Sequence, residues 1–357
     1  MKDFIKVPNL TPMVDKDYLT NGKIQQAIAV VDAYVKKMQI KGIERKVIGG
    51  KAGCPPMVFY TVPAQGGSKG NIMLYGHLDK QPWMDGWHEG LGPTKPVIRD
   101  GHLYGRGGAD DGYSVLSAML AIKNAHLQGV PTPRCVMVLE SEEESGSPHL
   151  VQLLKQAKDI VKQPDVCFCL DTGCFDFEKM WVASSLRGIT VVDMTVEGSE
   201  TAYHSGLSSG IVPETFTVAC ELLSRIDDSK TGNVVKEFHT KIPKWALQEA
   251  KKMSKFSGKK LYTKYNITKG VKFLSQDNLE QMYLNQTWRP SLAVTGVDGL
   301  PSCASAGGVI RPKTTLRLSM RLPPNQDPKL ATKLLEKKLT KNVPYNCKVT
   351  LKGGHEG

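Results

Sequence analysis

Three short apolar runs, residues 71–75, 135–139 and 166–170, each stop at groups that bind cations. The first leads into Gly76-His77-Leu78-Asp79, the second into Glu143-Glu144-Ser145-Gly146, and the third into Asp171. Runs this short and continuously apolar read as buried strands. Segments with helical spacing separate them. Residues 24–37 place Ile28, Val31 and Val35 on one face, residues 112–128 carry Val115, Leu116, Met119, Leu120 and Ile122, and residues 150–161 follow the second run. Strands alternating with helices predict an α/β domain with a mostly parallel, mixed sheet covered by helices on both faces. Ligand sites in such sheets gather at the carboxyl ends of the strands. His77, Glu143, Glu144 and Asp171 all fall there, and charged groups of this kind cost too much to bury unpaired.

The pattern changes near Gly188. Residues 189–197 and 314–322 alternate apolar with polar or small side chains, as half-exposed strands do. Helical segments at 212–225 and 330–339 and a last strand at 347–351 complete a smaller α+β domain. Two domains are therefore expected, 1–187 and 188–352, in keeping with 357 residues.

Composition narrows the partners. The net charge of +12 invites a nucleic-acid reading, but much of the excess lies between residues 230 and 272, as a helix with a solvated lysine face. No nucleic-acid motif accompanies it, so no nucleic-acid partner is expected. No stretch is apolar enough to span a membrane, and the first eight residues have no signal-peptide core. The eight cysteines are scattered and suggest no disulfide framework; Cys167 and Cys169 read as core thiols of the third strand. Together these predict a cytoplasmic protein.

The polar clusters divide the work of a metal-dependent hydrolase. His77 and Asp79, two apart, share a face, and a carboxylate beside a metal-bound histidine fixes its tautomer. Asp110 follows the turn Gly105-Arg106-Gly107-Gly108, where its two oxygens can bridge a pair of cations, whereas Asp111 reads as a helix-start residue. Glu143 and Glu144 sit among Glu140 and Glu142, a run that could be a plain solvated acidic loop, yet it follows a buried strand and Gly146 gives the backbone room to turn. Adjacent side chains point apart, so one can bind metal while its neighbour takes a proton from water. Asp171 closes the first shell. Nitrogen and oxygen donors suit two divalent ions, zinc first, with manganese or cobalt also compatible.

These stretches resemble the dinuclear zinc metallopeptidases that include carnosine and cytosolic nonspecific dipeptidases, aminoacylases, carboxypeptidase G-type enzymes and acetylornithine deacetylase. Tyr75-Gly76-His77-Leu78-Asp79, Asp85-Gly86-Trp87, Asp100 to Gly107 with Asp110-Asp111, Glu143 to Ser147 and Leu186-Arg187-Gly188 carry the likeness. His204-Ser205-Gly206, Trp288 to Leu292 and Arg321-Leu322-Pro323 extend it. The resemblance implies hydrolysis of dipeptides or short peptides, with N-acyl amino acid deacylation and a truncated non-catalytic member as alternatives. It implies that His77 and Asp171 bind one metal, Asp110 bridges, Glu144 binds the second, Glu143 is the general base and Asp79 orients His77. It further implies a cis peptide bond after Asp110. The smaller domain becomes a lid through which the chain forms a homodimer. From that domain His204 would reach the partner subunit's site to steady an oxyanion, and Arg321 would hold the substrate carboxylate. By its residues alone Arg321 reads equally as one more surface arginine. Two departures stand out. Gly112-Tyr113 replaces the usual Lys-Gly after the paired aspartates, and the family's return to the first domain, with a last metal-binding histidine, is expected to be missing, since His355 follows a lid strand and suits that ligand poorly.

Overall fold

The computed structural model describes residues 1–51 and 53–357, apart from the side chain of His355. The chain forms two compact units, Met1–Val182 and Ala183–Gly357.

The first unit begins with α1 (Lys2–Lys6) and α2 (Lys23–Met38), followed by β1 (Glu44–Ile48), β2 (Met57–Val62) and β3 (Asn71–His77). A hairpin of β4 (Val97–Arg99) and β5 (His102–Tyr104) leads to α3 (Tyr113–Leu127), β6 (Arg134–Glu140), α4 (Leu150–Gln156), α5 (Lys158–Val161) and β7 (Val166–Cys169). The sheet order is β1-β2-β6-β3-β7. Pairing is antiparallel from β1 to β6 and parallel across β6-β3-β7, so the sheet is mixed, as expected. Strand alternation builds two cores. Val58, Tyr60, Met137 and Leu139 pack with Ile24, Val31, Val115 and Met119 of α2 and α3. Met57, Phe59, Val136 and Val138 pack with Leu153 of α4, Val161 of α5 and Ala157 between them. Helices therefore cover both faces.

Two expectations need correction. The third apolar run is not buried: among the described residues β7 is one of the sheet's two edge strands, exposed along its length, and Cys167 and Cys169 are exposed rather than core thiols. An apolar run specifies a strand but not what lies over it. Nor does the plainer reading of the acidic loop, as a solvated one, hold. Glu140 and Glu142 are buried, because Tyr75 and Ser147 hydrogen-bond to Glu140, and His149 donates its backbone N–H to Glu142 at 2.8 Å. The sequence reading also passed over β1 and β2, and the expected helix at 150–161 is interrupted at Ala157.

An N-terminal arm laces this unit. Phe4 and Ile5 are buried. A Cβ on Gly105 would stand 2.3 Å from the Ile5 side chain, and one on Gly112 2.5 Å from the Phe4 ring. Lys80, fully buried, donates to the carbonyls of Phe4 and Val7 at 2.7 and 2.8 Å and stands over the Phe4 ring. Thr11 and the backbone N–H of Met13 both reach the Ser145 hydroxyl.

The second unit contains β8 (Gly188–Glu197), β9 (Tyr203–His204), α6 (Ser205–Ser208), α7 (Thr215–Ser224), β10 (Asp227–Asp228) and β11 (Asn233–Val234). Next come α8 (Lys244–Ser257), α9 (Lys260–Thr263), α10 (Leu279–Thr287), β12 (Ser291–Asp298), β13 (Val309–Ile310), β14 (Lys313–Leu322), α11 (Pro328–Thr340) and β15 (Lys348–Glu356). Its main sheet, β12-β14-β8-β15, is antiparallel. Val192, Met194 and Val196 of β8 and Leu316, Leu318 and Met320 of β14 face Val218 and Leu222 of α7 and Leu335 and Leu339 of α11. The helix expected from residue 212 starts at Thr215, since Pro213 favours extended backbone before it and Glu214 caps it, accepting from Phe216 N–H at 3.0 Å. The last strand runs on to Glu356, past the expected end. The lysine-rich segment forms α8 and α9, parted at Gly258. Among the described residues no helix is long and apolar enough to cross a membrane.

Candidate metal centre

The parallel strands place the polar groups. His77 ends β3 and is fully buried. Its Nε2 lies 3.1 Å from Asp110 Oδ1, 3.7 Å from Asp171 Oδ2 and 3.9 Å from Glu143 Oε2. Its Nδ1 faces the backbone carbonyl of Asp79 at 3.1 Å and the Asp79 carboxylate at 3.5 Å. Two donor groups result, His77-Glu143-Asp171 and His77-Asp110-Glu144, with the ligand atoms of each within 4.8 Å of one another. The structure thus brings together His77, Asp79, Asp110, Glu143, Glu144 and Asp171. The peptide bond between Asp110 and Asp111 is cis.

Asp79 does more than face His77. Its two carboxylate oxygens accept the backbone N–H groups of Glu143 and Glu144, each at 3.1 Å, and so hold the turn that carries both glutamates. Asp111, read as a helix-start residue, instead turns its buried carboxylate to the backbone N–H of His77 at 3.0 Å. Gly76 makes this approach possible, since a Cβ there would stand 2.2 Å from Ser114 Oγ and 2.5 Å from Asp111 Oδ2. Gln81 donates to one Glu144 oxygen. Sequence reasoning missed the role of Gln81 and that of Asp111. The Asp-Asp pair was a signal for the second; Gln81 offered none.

The electrostatics describe a cluster short of positive charge. Burial pushes the Glu144 carboxyl up to about 7, with Asp110 adding to the effect. Burial likewise raises Glu143 and Asp171, against the opposing pull of His77. Burial alone would depress the His77 imidazole, but hydrogen bonding to Asp110 and Asp79 overrides it and lifts it to about 12. Glu144 Oε1 is buried without a hydrogen-bond partner among the described residues. Crowded oxygen donors, an imidazole nitrogen and an orphaned carboxylate oxygen fit divalent cations, which would satisfy that oxygen and offset the repulsion.

The two remaining candidates lie in the second unit. His204 is exposed on β9, where its Nδ1 accepts the Gly206 N–H at 3.1 Å. Arg321 is exposed on β14, opposite Ser291 of β12 and Ile189 of β8.

Comparison with known proteins shows what the chain is similar to. Residues 73–354 match the model of peptidase family M20/M25/M40. The Cys-Gly metallodipeptidase DUG1 of Saccharomyces cerevisiae is 30% identical over 298 residues, 80% of this chain and 60% of that protein. The beta-Ala-His dipeptidase of Mus musculus is 29% identical over 288 residues, 78% of this chain and 57% of its own. The chain therefore spans about three fifths of the length of these relatives. The solved structure of the dipeptidase Dug1p from Saccharomyces cerevisiae superposes with a TM-score of 0.74 at 24% identity, covering 100% of this chain and 76% of that one, which shows a shared fold.

Proposed function

The chain belongs to peptidase family M20/M25/M40, and we propose that it hydrolyses dipeptides or short peptides at a pair of divalent metal ions. The observation that carries this reading is the convergence of Asp110, Asp171 and Glu143 on the His77 imidazole, within 3.1 to 3.9 Å. His77 and Asp171 would hold one ion, Glu144 the other, and Asp110 both. Zinc suits these donors, with manganese or cobalt also accepted. Ions bound there would lower the pKa of water and polarise the scissile carbonyl.

The protein's own residues supply the rest. Glu143, tethered through its backbone to Asp79, takes the proton of the attacking water and returns it to the departing amine. Asp79 keeps the imidazole and the glutamate turn in one arrangement, since its carboxylate serves both. Arg321 offers a planar fork for the substrate's terminal carboxylate. His204 steadies the developing oxyanion from a partner subunit, in a dimer formed through the second unit, whose edge strand β12 exposes Val294 and Val297. The cysteines, all free, suit a reducing, cytoplasmic compartment.

Cleavage of a dipeptide panel that includes Cys-Gly and β-Ala-His, with zinc, manganese or cobalt supplied, tests the reading. Metal-dependent release of amino acids supports it. Protein that carries its metal and cleaves none of the panel overturns it.

A further inference from the structure

The second unit holds a cavity of about 330 Å³ whose lining includes none of the residues assigned to hydrolysis. Its volume lies within the range of small-molecule sites. Leu261, Tyr262, Phe273 and Met282 give it apolar walls, and Arg187 and Arg289 give it charge. The Tyr262 and Phe273 rings lie 4.9 Å apart, tilted at 46°.

The two guanidinium groups are unusual in their partners. Arg187 Nη1 donates to the carbonyls of Asn285 and Arg289 at 3.2 and 3.3 Å, and to Ser291 Oγ at 3.1 Å. Arg289 donates to the side-chain oxygens of Asn285, at 2.8 Å, and Gln281. Every one of these acceptors is neutral. Among the described residues neither guanidinium pairs with a carboxylate, and no aspartate or glutamate lines the cavity. Arg187 Nε and Nη2 and Arg289 Nε have no acceptor among the described residues. Burial, and then the like charge of Arg321, holds Arg187 below the usual arginine range; burial does the same to Arg289. Two half-buried cations without a counter-charge are costly unless an anion joins them.

We propose that this cavity binds a small carboxylate with an aromatic or branched apolar body and no free amine. The carboxylate faces the open donors of Arg187 and Arg289, where planar forks match it. The apolar body packs against Phe273 and Tyr262. A free ammonium on the ligand would meet two guanidinium groups and no acid, which is why the class excludes it.

Calorimetric titration of the full chain with 3-phenylpropionate tests the proposal, with 3-phenylpropan-1-ol and acetate as probes that lack the charge or the ring. The acid is expected to bind saturably, about tenfold or more tighter than either probe. Arg289→Gln and Phe273→Ala, each checked for native circular dichroism, are expected to weaken it by about fivefold or more, while Asp110→Asn leaves it unchanged. The proposal fails if the acid shows no saturable binding, or if the alcohol binds as tightly. It also fails if both cavity variants retain full affinity, or if Asp110→Asn abolishes binding and so moves the site to the first unit.

Discussion

The role proposed for Glu143 depends on Asp79, whose carboxylate accepts the Glu143 backbone N–H. Glu143→Gln keeps the shape and the backbone N–H bond to Asp79, yet removes the proposed proton acceptor. It is expected to retain metal by elemental analysis while kcat falls by about 10²- to 10⁴-fold; near-native turnover would move the base elsewhere. Lys80 offers a test that needs no substrate. Burial depresses its ammonium from the ordinary 10.5 to about 7. Between those values the unfolded chain holds a proton that the folded protein has shed, so stability rises with pH there, by at most about 1.4 kcal/mol per pH unit. Lys80→Met removes that contribution. Urea unfolding at intervals across this window should show a shallower rise for the variant than for the native chain. Parallel curves would mean that the carbonyls of Phe4 and Val7 keep the ammonium charged.

At the level of strands and helices, β3 and α3 meet through a residue with no side chain. Gly76→Ala would drive a methyl group into Ser114 and Asp111, and overpacking of this kind costs about 1–3 kcal/mol. Thermal unfolding should show that loss, and a metal titration should show weaker binding, because Asp111 also holds the backbone of His77. An unchanged melting temperature would show that the helix start yields freely. The sequence made α3, β8 and β14 legible, since their apolar positions recur at helical or strand spacing. It made His77, Asp110, Glu143, Glu144 and Asp171 legible as a set, since each stands where an apolar run or a glycine turn stops. It did not reveal β2, whose apolar run leads to no polar cluster, nor the exposure of β7, nor that the Asp79 carboxylate binds the turn of Glu143. Those depend on what tertiary packing brings alongside a residue, which local spacing does not encode.

Across the full chain, the carboxylates of the centre repel one another unless cations join them. Chelation is expected to lower the unfolding temperature of the metal-loaded protein, and at a metal concentration of about a hundred times Kd the corresponding loss is about 2.7 kcal/mol. Identical calorimetric traces before and after chelation would count against the centre. Sedimentation is expected to show a dimer at micromolar concentration, and a monomer at all concentrations would count against the role proposed for His204. The open side of β7 bears on the same samples in another way. Val166 and Phe168 are 41% and 50% exposed on a strand with a single neighbour among the described residues, and an apolar edge of this kind invites a second molecule to add to it. With Cys167 and Cys169 exposed on that strand, such encounters place thiols near thiols. Shelf life in the laboratory then turns on dilution and on fresh reductant, and turbidity on storage would begin at this edge.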